Sequence, residues 1–260
     1  MTAVRQVLGP LPAALPLTVG ILGGMGPAAG ADFVRLFVQA CTDRMQALHI
    51  PVHDQAYPEH WLAQVPVPDR TAALQDESPG AHQPGDALLQ ATGRLAALGA
   101  RSVAIACNTA HAWHGLLQER FPQLQVLHAV REVAASLSAQ GVQRVGLLAT
   151  QGTYRTGLYS AELQRVGIDC LQPGDAHREL LMQGIYAGVK SGDMALARRC
   201  FADVAHALRD GAGAQVLVMG CTEIPLALQE VDVGMTLVNP ARVLADALAR
   251  EAYGPAAALH

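Results

Sequence analysis

Val103-Ala-Ile-Ala-Cys107-Asn-Thr109 is a short apolar run that ends in a thiol and two polar side chains. It is apolar at consecutive rather than alternate positions. That reads as a parallel strand covered on both faces, and a helical pattern follows it. Val216-Leu-Val-Met-Gly-Cys221-Thr222-Glu223 repeats the arrangement in the second half of the chain. A residue at the carboxyl end of such a strand points into the crevice where open α/β sheets bind ligands. Two thiols delivered this way can face one another across a small pocket. The arrangement suits moving a proton from one side of a carbon to the other.

Outward from these runs, further strand-like stretches occur at 18–22, 125–128 and 144–149, with the cysteine-bearing strands at 102–106 and 215–219 and shorter candidates at 167–170 and 235–238. Helical patterns cover 28–45, 87–98, 109–120, 130–139, 156–166, 176–189, 194–210 and 240–252. Strands alternating with helices imply an α/β fold with parallel sheets. Gly20-Ile-Leu-Gly-Gly-Met-Gly26 opens the first half and Gly146-Leu-Leu-Ala-Thr-Gln-Gly152 the second. Ile21 precedes Cys107 by 86 residues, and Leu147 precedes Cys221 by 74. Two similar units are therefore expected: 18–129 with 236–260, carrying Cys107, and 130–235, carrying Cys221. Residues 1–17 read as a flexible leader, because Pro10, Pro12 and Pro16 interrupt what would otherwise resemble an export signal. The extra length of the first half falls in the proline-rich residues 50–85, which read as a long ordered loop. His53, His60 and Trp61 of that loop are expected to shape a side-chain pocket.

The 260 residues are 51% apolar with 25 glycines, the composition of a helix-rich α/β enzyme. A net charge of −4 without a basic run excludes a nucleic-acid partner. There is no charge-free apolar stretch long enough to span a membrane. The five cysteines are unpaired by spacing and include no CxxC, which points to free thiols and a cytoplasmic location.

Each local motif admits more than one reading. Gly23-Gly-Met-Gly-Pro27 lacks both the GxGxxG spacing and a phosphate-binding lysine, so it is a carboxylate pocket or a plain tight turn. Cys41, Cys170 and Cys200 read as small hydrophobes. Cys107 and Cys221 each begin a polar cluster at a strand end ahead of a helix, a setting that favours thiolate. His111, four residues after Cys107, leaves open a metal site with Cys107 and Cys221, or a thiol–imidazole nucleophile. The first lacks a fourth ligand, and the second gives Cys221 no role.

Five motifs in order carry a resemblance over residues 18–250. They are Gly23-Gly-Met-Gly-Pro27, Pro68-Asp-Arg-Thr71, Cys107-Asn-Thr-Ala-His111, Thr150-Gln-Gly-Thr153 and Gly220-Cys-Thr-Glu-Ile-Pro225. Together they resemble the cofactor-independent aspartate/glutamate racemases. The resemblance implies two Rossmann-like domains related by a pseudo-twofold, an active site in the cleft between them, and a homodimer. It implies no cofactor, no metal, and an amino acid as substrate. It makes Cys107 and Cys221 the acid/base thiols, and Met25, Arg70, Asn108, Thr109, Thr150, Thr153, Thr222 and Glu223 the substrate-binding positions. Lys190 falls where family members carry a functional lysine.

On that reading one thiolate removes the α-proton and the other thiol returns one to the opposite face. Donors from Asn108, Thr109, Thr150, Thr153 and Thr222 hold the developing enediolate charge. Arg70 and Lys190 are the candidates for a side-chain carboxylate, Arg70 favoured for its fork. Both thiols being present, reaction from either enantiomer is expected. The alternatives are a hydantoin racemase, maleate isomerase or arylmalonate decarboxylase on a similar scaffold, or an amino-acid-binding protein without turnover.

Overall fold

The computed structural model describes residues 16–76 and 83–254. The first half supplies strands β1 (Val19–Gly23), β2 (His60–Gln64), β3 (Ser102–Ile105) and β4 (Gln125–Val126). The second supplies β5 (Arg144–Ala149), β6 (Asp169–Leu171), β7 (Val216–Gly220) and β8 (Leu237–Val238). They pair in two parallel sheets, β2-β1-β3-β4 and β6-β5-β7-β8. The strand order is the same in both, with a cysteine following the third strand of each list. The expected α/β class and doubled unit are what the structure has.

The helices are α1 (Pro27–Ala47), α2 (Arg70–Gln75), α3 (Pro84–Ala97), α4 (His114–Arg120), α5 (Ala129–Ala139), α6 (Gln151–Thr156), α7 (Leu158–Arg165), α8 (Asp175–Gln183), α9 (Met194–His206), α10 (Glu230–Val233) and α11 (Pro240–Tyr253). Every residue of β1 is buried, as a strand covered on both faces requires. On one face of the first sheet Phe33 and Phe37 of α1 meet Leu244 and Leu248 of α11. On the other, Leu88 and Leu95 of α3 meet Leu117 of α4. The second sheet has one continuous core that joins Leu147 and Val218 to Tyr159, Leu163 and Phe201. Cys41 and Cys200 lie buried in these cores, and Cys170 packs against the second. Burial pushes the Cys41 thiol up to about 12 and raises those of Cys170 and Cys200, as fits small core hydrophobes.

Several expectations need correction. Residues 50–85 are not simply a loop. They hold a 3-10 turn (Asp54–Ala56), the edge strand β2 in register with β1, and α2. The prolines bracket β2 rather than interrupt it, which is where an edge strand tolerates them. The second sheet also extends beyond residue 235, because Leu237 and Val238 pair with β7. The chain returns to the first half only with α11. The pattern at 156–166 is broken by Gly157, whose left-handed φ of 63° separates α6 from α7. The one at 109–120 begins as a 3-10 turn, Thr109–Trp113. Beyond α8 the chain forms a π-helical turn, Gly184–Gly188. Most of the expected leader lies outside the described residues; Leu17 donates its N–H to the Ala252 carbonyl at 2.8 Å.

Candidate active site

Cys107 and Cys221 follow β3 and β7 and line one small cavity between the two sheets. Each is 6% exposed. Burial and Glu223, and in smaller part a charge on Cys107, raise the Cys221 thiol.

The first half surrounds Cys107 with a cation. Asp69 caps α2 by accepting the Ala72 N–H at 2.9 Å, and this fixes Arg70 at the first position of the helix. The Arg70 guanidinium is 8% exposed. Its Nη2 donates to the Met25 carbonyl at 2.6 Å, and Nη1 to the carbonyls of Val67 and Pro68 at 3.1 Å. Nε is buried with no partner. Burial works against the cation, but the charge and hydrogen bond of Cys107, with Asp69 and Glu223, raise its pKa overall. Gly24, at φ 93°, lets this loop close on Val65, whose carbonyl would sit 2.2 Å from an added Cβ. The glycine-rich turn is thus a close-packed turn that offers the Met25 carbonyl to Arg70.

His111 does not act on either sulfur. Its Nδ1 donates to the carbonyls of Cys107 and Asn108 at 3.0 and 3.1 Å, while Nε2 accepts the Ala129 N–H at 3.1 Å. Both ring nitrogens are thereby taken, which removes it as metal ligand and as base. Burial, then neighbouring His114, lowers its pKa to about 4. No group of three or more His, Cys, Asp or Glu among the described residues could hold a metal ion.

The second half surrounds Cys221 with an anion. Its thiol donates to Glu223 Oε2 at 3.0 Å, the Thr222 hydroxyl donates to the same oxygen at 3.2 Å, and Lys190 Nζ lies 3.7 Å from Oε1. Burial, then the charge of Glu223, drives the Cys221 thiol well above its ordinary range.

Hydrogen-bond donors lie between the two thiols. Tyr159 donates to Asn108 Oδ1 at 2.5 Å, which leaves the Asn108 amide nitrogen as the free donor. Thr109, Thr150 and Thr153 form a triangle of hydroxyls at 3.0, 3.0 and 3.1 Å that joins the two halves. Thr109 and Thr150 line the cavity, as do Met25, Thr222 and Glu223; Thr153 stands behind them. Gly152 keeps this junction tight, since an added Cβ would lie 3.1 Å from Thr109.

Asp69, Thr71, Ile185 and Tyr186 also line the cavity and were not among the residues singled out from sequence. Tyr186 donates to Asp69 Oδ2 at 2.6 Å across the two halves, and Lys190 Nζ sits 5.2 Å from its ring centre. The π-helical turn places Tyr186 there; Gly184 and Gly188 lie flush on α9, where added Cβ atoms would come within 2.6 Å of Phe201 and 2.8 Å of Ala197. His53, His60 and Trp61 do not line the cavity. His60 instead packs edge-on to Phe37 at 5.4 Å, and Trp61 is exposed on β2.

Residues 22–248 match the family described as Asp/Glu/Hydantoin racemase. Aspartate racemase of Picrophilus torridus superposes with a TM-score of 0.73 at 26% identity, over 91% of this chain and 94% of that one. The broad specificity amino-acid racemase RacX of Bacillus subtilis is 22% identical over 232 residues, 87% of this chain and 94% of that protein. A glutamate racemase of Pseudomonas aeruginosa is 31% identical over 137 residues, 49% of this chain. The matched stretch spans only 47% of that enzyme, and 57% of an uncharacterized Pectobacterium carotovorum protein that is 42% identical over 87 residues.

Proposed function

The chain belongs to the Asp/Glu/hydantoin racemase family, and from that premise we propose that it is a cofactor-independent racemase of aspartate or glutamate working through two thiols. The observation that carries this reading is the pair Cys107 and Cys221, equally buried at equivalent strand ends and lining one cavity. A thiolate on one side removes the α-proton while a thiol on the other delivers one, and the substrate's configuration inverts. The enediolate that forms between the two steps carries its charge on the α-carboxylate oxygens. The free amide of Asn108 supplies a donor at that position, and the hydroxyls of Thr109 and Thr150 line it.

An acidic side chain needs a cation. Lys190 is one candidate, its Nζ 3.7 Å from Glu223. Arg70 has most of its fork engaged by carbonyls and offers Nε as its free donor. The cavity also holds two carboxylates, of which Asp69 at its edge suits the substrate ammonium. Since one methylene discriminates by only about 1–3 kcal/mol, aspartate and glutamate are both candidates. We further propose that the enzyme acts as a homodimer.

A panel of pure L- and D-amino acids, incubated with the protein alone and read by chiral chromatography, tests the reading. Aspartate or glutamate should racemise from either enantiomer, and Cys107→Ala and Cys221→Ala should each abolish it. A requirement for pyridoxal phosphate, or full activity in either variant, would overturn the proposal.

A further inference from the structure

The two thiols are equally buried but differently partnered, and the difference bears on which of them carries the proton at rest. Glu223 is a 4% exposed carboxylate with three donors around it: the Cys221 thiol, the Thr222 hydroxyl and the Lys190 ammonium. Gly26 comes so close that an added Cβ would lie 3.0 Å from Oε1. The carboxylate is therefore held against the sulfur rather than free to turn into the cavity. A carboxylate accepts hydrogen bonds and donates none, so the proton in the 3.0 Å contact belongs to sulfur. Were that sulfur ionised, two anions would face each other in a buried site, the least favourable arrangement available there. Cys107 has the opposite neighbour, the Arg70 guanidinium, and its backbone is fixed by His111.

We propose that Glu223 is a positioning residue that keeps Cys221 protonated, so that the resting enzyme is Cys107 thiolate and Cys221 thiol. This rests on the two-thiol reading above but assigns Glu223 to the thiol rather than to the substrate. The other groups facing Cys221 do not reverse the order. Tyr154 and Tyr159 are neutral phenols whose ionisation burial disfavours, and Cys107 as thiolate adds a further negative charge.

The proton balance of a turnover follows. One proton leaves Cα for the Cys107 thiolate, and one leaves the Cys221 thiol for the opposite face of Cα. The product departs from an enzyme whose charge now sits on Cys221, against Glu223. To restore the resting pair, a proton passes from Cys107 to solvent and one from solvent to Cys221. The enantiomers have an equilibrium constant of unity, so kcat/KM is the same in both directions and cannot reveal the asymmetry. The titration of the thiols can.

The experiment is substrate-free alkylation of the full-length protein by iodoacetamide at low conversion across a pH series, with Cys107 and Cys221 followed separately by peptide mass spectrometry. The pH midpoint of each rate reports thiol ionisation independently of how fast iodoacetamide reaches it. The Cys221 midpoint should lie well above that of an ordinary thiol. In Glu223→Gln, which keeps the side chain's size but not its charge, the Cys221 midpoint should fall by about one unit while that of Cys107 moves less. A Cys221 midpoint in the range of an ordinary thiol in the unaltered protein would overturn the proposal, as would a Cys221 midpoint unmoved in the variant. If Glu223→Gln does not fold, the Cys221 midpoint in the unaltered protein decides alone. Because no substrate is present, a protein that racemises nothing would overturn the proposed function without touching this result.

Discussion

The two halves share a strand order and a strand-end cysteine, yet they place opposite charges beside the two sulfurs. The first half brings Arg70 to Cys107 on the short helix α2; the second brings Glu223 to Cys221 two residues along the chain. Duplication alone would give two equivalent acid/base groups. On the proposed mechanism, the divergence of the surroundings makes one a resting base and the other a resting acid. The supports differ as well. The Cys107 segment hangs from His111, in a cluster with His128 and His114 whose rings lie 5.1 and 4.8 Å apart in turn, and the second half has no matching histidine cluster among the described residues.

Removing the cation strikes the comparison hardest. Arg70→Met should lower kcat/KM by roughly 10–100-fold, the worth of about 1.5–3 kcal/mol for a charged hydrogen bond. It should also move the Cys107 alkylation midpoint upward toward that of Cys221. It strands the carbonyls of Met25, Val67 and Pro68, so Arg70→Lys serves as the control that retains charge. An unmoved Cys107 midpoint in Arg70→Met would show that the guanidinium does not set the charge on that sulfur.

Acid should loosen the first half before the second. Burial lowers the pKa of His111 to about 4 and of His128 to about 3, and lowers that of His114, which also faces Arg131 and Glu162. The fold thus prefers these rings neutral. The unfolded chain protonates near 6.5 and binds more protons below that pH, so stability present above about 6.5 falls as pH drops toward 4. Thermal melts over this range should show the melting temperature declining from about 6.5 downward. A flat profile to pH 5 would contradict it. Hydrogen exchange should locate the first loss of protection at the Ala129 amide, which bonds His111.

The smallest effect is expected at the contact between the halves. Tyr186→Phe removes the 2.6 Å bond to Asp69 but keeps the ring beneath Lys190. It should raise KM by roughly 3–10-fold with little change in kcat, as loss of one hydrogen bond of about 1 kcal/mol would do. An equal fall in kcat would mean that the bond acts during proton transfer itself.

The strand-end cysteines and the glycine-rich turn were legible because each is written in a few consecutive residues. An apolar run announces β3 or β7, and the thiol follows directly. The edge strand β2 was not, because His60-Trp-Leu-Ala-Gln64 has no fully buried residue and its flanking prolines look like loop punctuation. Arg70 and Lys190 are single charges whose spacing says nothing; only the surrounding motifs singled them out. Tyr186 was hidden for a physical reason. A π-helical turn shifts the register by which a helical pattern assigns faces, and the sequence pattern runs as one regular helix through the glycines at 184 and 188. Asp69 caps α2, but its second bond reaches a residue 117 positions away, which no local pattern records. The charge asymmetry of the two sulfurs is only half of this kind: Glu223 stands two residues from Cys221, whereas Arg70 reaches Cys107 from a separate helix.

The most direct measurement is the fate of the α-proton in deuterium oxide during the first few per cent of reaction. The protein, equilibrated in deuterium oxide, is given pure L-aspartate or L-glutamate, and the two enantiomers are separated and analysed by mass spectrometry. Two thiols on opposite faces require the newly formed D-enantiomer to carry deuterium at Cα while the remaining L-enantiomer keeps its protium. A D-enantiomer that retains the substrate's own protium, or deuterium appearing in the L-enantiomer as fast as inversion proceeds, would mean that a single base serves both faces.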